Sequence, residues 1–364
     1  MRALKKLLKV LFGDLKMRYI PLLLIYFAYG ISGFTSVAET FWVKERLGLS
    51  AEALIAISFW VGIPWTIKIV FGQFADSIRI FGSQRKIYIF IGAALIALGQ
   101  LILIGLAVNS AWLLQFGSPG RLYLLSSVVS VIGFVLQDVI ADTMSTEVVD
   151  RFDPVTNTPL RAGDIEKDLA QVQWLGRMMV LGGGLLVAGI GGWLAEILNY
   201  QTMFTLALSI PAISITGALL VRLDDVPRSP VNWYVLGCGL LYALFVVGIE
   251  RIEVPYGQEI VFLLSLGILS FLIARLGITK TLLFAAIAIF LFRATPGTGP
   301  GVTWWMIDVL HFDKAFMGTL AQLGAFVSLA ALFLLRVSLT ERPIRWTLLW
   351  LTVIGGITSL PSIG

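Results

Sequence analysis

Residues 62–86 read GIPWTIKIVFGQFADSIRIFGSQRK. The first part of this stretch is apolar, yet it holds one lysine, Lys68, at a depth where a charge is costly in a bilayer. A small residue, an acid and three basic residues then follow in this order: Gly72, Asp76, Arg79, Arg85 and Lys86. This order predicts a membrane-spanning helix that ends in a tight basic loop, whose acid and bases can form a charge network. The alternative is an ordinary loop that is basic because of topology alone.

The composition of the whole chain is that of a membrane protein. Hydrophobic residues make up 58% of the chain, charged residues 13%, and the mean hydropathy is +0.90, whereas average soluble proteins carry about 25% charged residues. Residues 87–108 contain no charge, and this run exceeds the roughly 20 residues that cross a bilayer. The sequence therefore predicts an all-α polytopic membrane protein.

The distribution of basic residues predicts the orientation. With spans alternating from a cytoplasmic N-terminus, five of the 27 Lys and Arg are external, three lie inside spans, and the other nineteen (27 − 5 − 3) are cytoplasmic. This bias is the positive-inside rule, so the net charge of +5 reflects topology and not a nucleic-acid partner. We expect a multi-pass protein of the plasma membrane (the inner membrane of a bacterium), in contact with the lipid bilayer and with its N-terminus in the cytoplasm.

Apolar runs and the linkers between them predict the domain organisation. Residues 1–18 alternate leucines with lysines at helical spacing, which is typical of an amphipathic helix on the cytoplasmic face. Predicted spans follow at about 19–43, 51–74, 87–108, 121–146, 169–195, 201–221, 231–249, 258–274, 278–310, 314–336 and 345–361. They divide into an N-terminal six-helix bundle (19–222), a linker with an inserted transmembrane hairpin (223–277), and about three helices that begin a C-terminal bundle (278–364). The second half is therefore expected to be truncated.

An internal repeat supports this division. A shift of 263 residues (303 − 40) places Thr40-Phe41-Trp42 on Thr303-Trp304-Trp305, each in a glycine-containing apolar helix before a short turn. Interrupted helices at matching positions of two halves indicate a transporter binding site at the repeat interface. The length of the shift exceeds one six-helix half by about two spans, which is the reason for treating the hairpin as an insertion.

Charged side chains inside apolar spans are functional candidates, because each costs about 2.5–3.5 kcal/mol or more at the bilayer centre unless it is paired or hydrated. Together with one tryptophan they form the predicted solute-binding set: Glu39, Lys68, Asp138, Asp142, Arg177, Arg293 and Trp304. Other interpretations stay open for several of them. Lys68 could reach the membrane surface by snorkelling, Glu39 could face water, and Trp304 could belong to the interfacial aromatic belt.

Asp138 and Asp142 are the predicted proton-coupling residues. They lie four residues apart on one helical face, where like charges repel, so that one of them is expected to hold a proton. The alternative is a purely structural network in which Lys68 and Arg177 neutralise both carboxylates. Arg177 is expected to pair with Asp142 or with Glu147.

Sequence patterns of catalysis are missing. The chain has no zinc-ligand spacing, no nucleophile triad and no phosphate-binding glycine loop. We therefore predict neither an enzyme nor a bound cofactor or metal ion.

Several motifs together resemble a known family. The apolar segment with its lysine, the glycine-to-aspartate exit and basic loop, the paired aspartates, and a late arginine motif occur in family order: IPWTIK (63–68), Gly72 with Asp76, IFGSQRK (80–86), DVIAD (138–142) and FRATP (292–296) with the run to LHF (310–312). They resemble the signature of the folate–biopterin transporter family of the major facilitator superfamily. The basic loop is similar to the loop between helices 2 and 3 of facilitators. This similarity implies a close helix approach at the glycine and a conformational latch formed by Gly72, Asp76, Arg79, Arg85 and Lys86.

The resemblance implies a major facilitator-type helical bundle that works by alternating access. It also implies a folate or pterin-like solute moved together with protons. The inserted hairpin and the small number of helices in the second half depart from the twelve-helix pattern expected of the family.

Three functional hypotheses follow. The first is a secondary active transporter of a folate or pterin-like solute. The second is a facilitator-type transporter of another solute, such as a sugar, an amphiphile or a tetrapyrrole. The third is a non-transporting membrane protein that binds or assembles a partner.

Overall fold

The computed structural model describes residues 15–153, 156, 158–223, 230–252, 254–275, 279, 283–284, 287, 299–341 and 344–359. Arg293 and residues 1–14 of the predicted amphipathic helix lie outside these ranges. The described chain is almost entirely helical, with two isolated bridge pairs, Ile80–Ser83 and Phe152–Pro159. Eight of the described helices are long and apolar enough to cross a membrane. The prediction of an all-α polytopic membrane protein is confirmed.

The helices are numbered here in chain order. Their bounds are α1 Met17–Leu47, α2 Ala51–Ser77, α3 Lys86–Ala107, α4 Pro119–Glu147, α5 Ala162–Ile197, α6 Tyr200–Leu220, α7 Trp233–Ile252, α8 Gly257–Arg275, α9 Gly299–Asp308, α10 Lys314–Glu341 and α11 Ile344–Ser359.

The second helix is broken near its middle, and this break positions a functional side chain. The α-helical segments Ala51–Thr66 and Lys68–Ser77 are separated by Ile67, whose φ of −99° and ψ of 19° are not helical. Pro64 lies three residues before the break. It lacks an N–H and its ring clashes with the preceding turn, which interrupts the hydrogen-bond ladder. Lys68 therefore begins a new helical segment inside the span.

Small residues let neighbouring helices approach closely. A Cβ on Gly92 of α3 would lie 2.8 Å from the carbonyl oxygen of Gly133 of α4, and a Cβ on Gly30 of α1 would lie 2.5 Å from that of Val180 of α5. The close approach that the resemblance to facilitators implies at Gly72 is not found among the described residues. A Cβ there would meet only Val139 Cγ1 at an ordinary 3.6 Å, because the backbones of α2 and α4 are farther apart at this level.

The chain divides into two compact units. One consists of residues 1–242 and 304–325, and the other of residues 243–303 and 326–364. Every described candidate site residue belongs to the first unit. Its core includes a fully buried aromatic group in which Trp42 packs against the rings of Tyr123 and Phe204, with centroids 5.9 and 5.8 Å apart.

Candidate functional site

A lysine and two aspartates form a charge cluster inside the membrane-spanning helices. The Lys68 ammonium lies 2.6 Å from Asp138 Oδ2 and 3.3 Å from Asp142 Oδ2. The lysine thus bridges two carboxylates whose i, i+4 spacing on α4 would otherwise make them repel each other. The side chain of Asp138 is 12% exposed, while those of Lys68 and Asp142 are 38% and 42% exposed. A solute can therefore reach the lysine and Asp142 more easily than Asp138.

Tyr26 of α1 anchors the cluster from a third helix. Its hydroxyl donates a hydrogen bond of 3.1 Å to Asp142 Oδ1, so that each oxygen of this carboxylate has a donor. The tyrosine ring is buried and packs against Gly176 of α5. A glycine is required at this point, because a Cβ there would lie 2.9 Å from the ring.

Three aromatic rings lie beside the charge cluster. Tyr29 is 6.3 Å from Trp65 and 6.2 Å from Phe134, centroid to centroid. The Lys68 ammonium lies 6.0 Å from the Trp65 ring, at the limit of a cation–π contact. Flat apolar surface and an ionic group are thus brought together, as a site for an aromatic anion requires.

These rings connect the charge cluster to a cavity of about 450 Å³. The cavity lies in the half of the helices that is nearer to the loop joining α1 and α2. Trp65 and Phe134 line it together with aliphatic side chains such as Leu54 and Leu103, and about half of the other lining residues carry hydroxyl or amide groups: Ser32, Thr35, Ser58, Gln100, Tyr123, Ser126, Ser127 and Ser130. The volume lies within the roughly 300–1,000 Å³ typical of small-molecule sites.

Glu39 is the one carboxylate among the residues that line this cavity. The Tyr123 hydroxyl donates a hydrogen bond of 2.8 Å to its Oε1 atom. The alternative that Glu39 simply faces bulk water does not fit this position. Glu39 is nevertheless separate from the Lys68 cluster, since Glu39 follows Tyr29 by ten positions, which correspond to about 15 Å of helix.

The predicted latch residues contain a second ionic cluster at the loop joining α2 and α3. Arg85 is buried, and its guanidinium lies 2.7 Å from Asp76 Oδ1 and 2.7 Å from Glu147 Oε1. It also donates to the carbonyl oxygen of Ala75 at 3.0 Å. Burial alone would lower the pKa of Arg85, but the hydrogen bond and charge of Glu147, followed by those of Asp76, raise it. The guanidinium therefore stays charged and joins α2, the loop and α4.

The other latch residues are less tightly held. Arg79 donates to Gln84 Oε1 at 3.3 Å from both Nε and Nη2, and Gln84 in turn donates to the carbonyl oxygen of Asp76 at 3.0 Å. The Lys86 ammonium is 3.5 Å from the carbonyl oxygen of Leu219, at the end of α6. Gly72 has no side chain to form a polar contact and, as described above, makes no close helix contact with the described residues.

Trp304 lies at the end of the helices near the loop joining α1 and α2, away from Lys68. Its indole N–H donates to the carbonyl oxygen of Leu49 at 3.2 Å, and the ammonium of Lys44 lies 4.9 Å from its ring. Lys44 also pairs with Asp308 at 2.6 Å. The tryptophan is thus part of a contact between α1 and α9, and it is not among the described residues that line the cavity.

A second set of contacts at this end joins α1 to α10. The Lys314 ammonium lies 4.0 Å from Glu45 Oε1 and 4.7 Å from the ring of Tyr200. The Tyr200 hydroxyl donates to Glu45 Oε2 at 2.5 Å. Beside them α5 meets α10 so closely that a Cβ on Gly192 would lie 2.4 Å from the Cα atom of Gly318.

The expected partner of Arg177 is wrong. Glu147 is held by Arg85, and the two Asp142 oxygens are held by Lys68 and Tyr26. Arg177 is exposed and, in the described part of the chain, forms no ion pair with either acid. It lies within electrostatic range of Tyr29, so it remains a candidate for the same solute site.

Sequence reasoning missed the acid that completes the Arg85 cluster, the tyrosine that completes the Lys68 cluster, and two polar residues of the cavity wall. Glu147 appeared only as a partner of Arg177, although its position at the end of α4 puts it at the same membrane boundary as Arg85. Tyr26, Tyr123 and Gln100 carry no charge and lie in ordinary apolar runs, so that no local signal distinguishes them. No group of three or more His, Cys, Asp or Glu in the described ranges is placed to hold a metal ion.

A comparison with protein families decides the classification. The model of the BT1 family matches residues 29–363. The chain belongs to the BT1 family. The match covers the charge cluster, the cavity and the basic loop, so the motifs identified in the sequence lie within the residues that the family model matches.

Relatives with assigned names support the resemblance to folate–biopterin transporters. A "Folate-biopterin transporter" of Synechocystis sp. is 25% identical over 98% of this chain and 61% of its own length. A "Folate transporter 1" of Plasmodium falciparum is 20% identical over 91% of this chain and 55% of its own length. A "Probable folate-biopterin transporter 4" of Arabidopsis thaliana is 30% identical over 57% of this chain and 38% of its own length.

The chain spans about three fifths or less of the length of these relatives. All three are named as transporters and none as an enzyme, in agreement with the prediction of a non-enzymatic membrane protein. What they carry is considered for this chain in the next subsection.

Proposed function

We propose that this protein is a secondary active transporter that moves a folate or pterin-like solute across the membrane by alternating access, coupled to protons. The observation that carries the proposal is the Lys68–Asp138–Asp142 cluster, which lies inside the membrane-spanning helices beside aromatic rings and a cavity of about 450 Å³. The names of the relatives supply the class of solute.

The solute's negative charge is recognised by Lys68. Its ammonium lies 6.0 Å from the Trp65 ring, and more than a third of its side chain is exposed. Trp65 and Tyr29 offer faces on which a flat ring can stack. The exposed guanidinium of Arg177 adds a second positive group near Tyr29, and Arg293, which lies outside the described residues, remains a candidate for a third.

Proton coupling follows from competition for the Lys68 ammonium. The cluster carries two carboxylates for one cation, and both carboxylates rely on that cation. An anionic solute that takes the ammonium leaves an aspartate without its partner in a poorly hydrated site, where a charged carboxylate is unfavourable. That aspartate then takes up a proton, so that solute and proton bind together.

Alternating access requires contacts that can open at each end of the helices. At the end near the α1–α2 loop these are the pairs Lys44–Asp308 and Glu45–Lys314. At the opposite end the contact is the Arg85 cluster, which holds α2 against α4 and acts as the latch of one conformation. We place the protein in the plasma membrane with the Arg85 loop and the N-terminus in the cytoplasm.

Replacement of one aspartate by its neutral isostere tests the coupling. Asp138→Asn keeps the size of the side chain but cannot release or bind the coupling proton, so we expect proton-driven accumulation in proteoliposomes to be abolished while the protein still inserts. Asp164→Asn is the matched control, since Asp164 is exposed at the start of α5 and pairs only loosely with Lys167 at 4.0 Å. Undiminished gradient-driven uptake by Asp138→Asn would show that this residue is not coupled to protons.

A further inference from the structure

We propose that the cavity of about 450 Å³ binds the bicyclic head of the solute, and that Glu39 recognises the 2-amino-pyrimidinone edge of a pterin. This assignment rests on the proposed function. It adds the orientation of the solute and the residue that selects its head group, neither of which follows from the charge cluster.

Glu39 has an unused hydrogen-bonding capacity that faces the cavity. Tyr123 donates to Oε1, and among the described residues no lysine or arginine pairs with this carboxylate and no donor reaches Oε2. A carboxylate removed from bulk water without a cation is costly unless several donors serve it. The free oxygen therefore favours a ligand that brings N–H groups.

Gln100 provides a second, independent observation of the same kind. Its Oε1 atom is buried and has no hydrogen-bond partner in the structure, and Gln100 lines the same cavity as Glu39. The large majority of buried polar side-chain atoms have a hydrogen-bond partner, so that an exception needs an explanation, such as a water molecule or a ligand. The residues around the cavity thus include two side chains, Glu39 of α1 and Gln100 of α3, each with one oxygen that no described donor reaches; the Gln100 oxygen is itself buried, so that only Glu39 offers its oxygen to a ligand in the cavity.

The walls of the cavity fit a flat heteroaromatic ring system. Trp65 and Phe134 supply aromatic surface at the side that faces the charge cluster. Hydroxyl groups that can donate or accept lie along α1, α2 and α4: Ser32, Thr35, Ser58, Ser126, Ser127 and Ser130. A ring with several nitrogen and oxygen atoms at its edge can form hydrogen bonds with these hydroxyl groups, without a further charged residue.

A pterin matches this arrangement through one edge. Its 2-amino group and the adjacent ring N–H point in the same direction and form a fork of two donors, which a carboxylate accepts in parallel. With the fork on Glu39, the rest of the pterin ring faces Trp65. A negatively charged tail is then directed to Lys68, whose ammonium lies 6.0 Å from the Trp65 ring. Glu39 and Lys68, at opposite ends of the site, then bind the two ends of one solute.

The test uses pterin and its 2-oxo analogue lumazine, which differ at the group that Glu39 is proposed to read. Both compete with labelled biopterin for the full chain in lipid nanodiscs. We expect pterin to compete about 10- to 100-fold better than lumazine, since a hydrogen bond to a charged group contributes that much and a carbonyl opposite the carboxylate forms none. Glu39→Gln should reduce this preference to about threefold or less.

Glu52→Gln is the matched control, because Glu52 is exposed at the start of α2 and does not line the cavity; it should keep the wild-type preference. Equal competition by pterin and lumazine in the wild type would overturn the inference, whether or not Glu39→Gln folds. An undiminished preference in Glu39→Gln would overturn it as well. If wild-type protein bound neither labelled biopterin nor labelled folate, the proposed function would fail and the inference with it.

Discussion

At the scale of single residues, the sequence predicts which groups are charged and deep, but not how they pair. The order of Gly72, Asp76 and Arg85 predicts a charge network in the basic loop; the structure shows the Asp76–Arg85 pair at 2.7 Å, and its role as a latch remains a prediction. The pairing of Arg177 was wrong, because the choice among nearby acids depends on helix rotation. Uncharged partners such as Tyr123 have no periodic or electrostatic signature at all.

Arg85 gives the most direct prediction for stability. Its side chain and that of Glu147 are each 6% exposed, so Arg85→Ala leaves a buried carboxylate unpaired. We expect the free energy of unfolding to fall by about 3–5 kcal/mol, measured by thermal and denaturant unfolding in detergent. The double variant Arg85→Met, Glu147→Met should lose less than Arg85→Ala, because it removes both charges together. An equal or larger loss in the double variant would contradict the importance of the unpaired acid.

At the scale of helices, hydropathy predicts most spans and misses their breaks and extensions. The predicted span 51–74 corresponds to Ala51–Ser77, but its interruption at Ile67 depends on how Pro64 is accommodated. The predicted span 169–195 begins seven residues earlier, at Ala162. The added turns are polar, and an acidic residue such as Asp164 is favourable in the first turn of a helix, a property that a hydropathy window does not register.

Two glycines of the same helix, α5, separate packing from helix propensity. Gly192→Ala places a Cβ 2.4 Å from the backbone of Gly318, whereas nothing lies within 4 Å of a Cβ on Gly182. We expect Gly192→Ala to lower the free energy of unfolding by about 1–3 kcal/mol through overpacking. Gly182→Ala should raise it slightly, since alanine favours helix by about 1 kcal/mol. Equal thermal midpoints for the two variants would contradict the close contact between α5 and α10.

At the scale of the whole molecule, composition predicts the fold class and motif order predicts the family, and both predictions are confirmed. The cavity could not have been predicted, because its hydroxyl groups come from separate helices at unrelated sequence positions. The predicted domain boundaries and the inserted hairpin (223–277) remain predictions. Transport by this chain is the property on which the functional proposals depend.

The measurement that addresses transport is uptake of labelled folate and labelled biopterin into proteoliposomes, with and without an imposed proton gradient. A secondary transporter built around the Lys68–Asp138–Asp142 cluster should accumulate at least one of these solutes above its external concentration, and only while the gradient is present. Uptake that merely equilibrates and ignores the gradient would contradict proton coupling. No uptake of either solute by correctly inserted protein would contradict transport of folates and pterins.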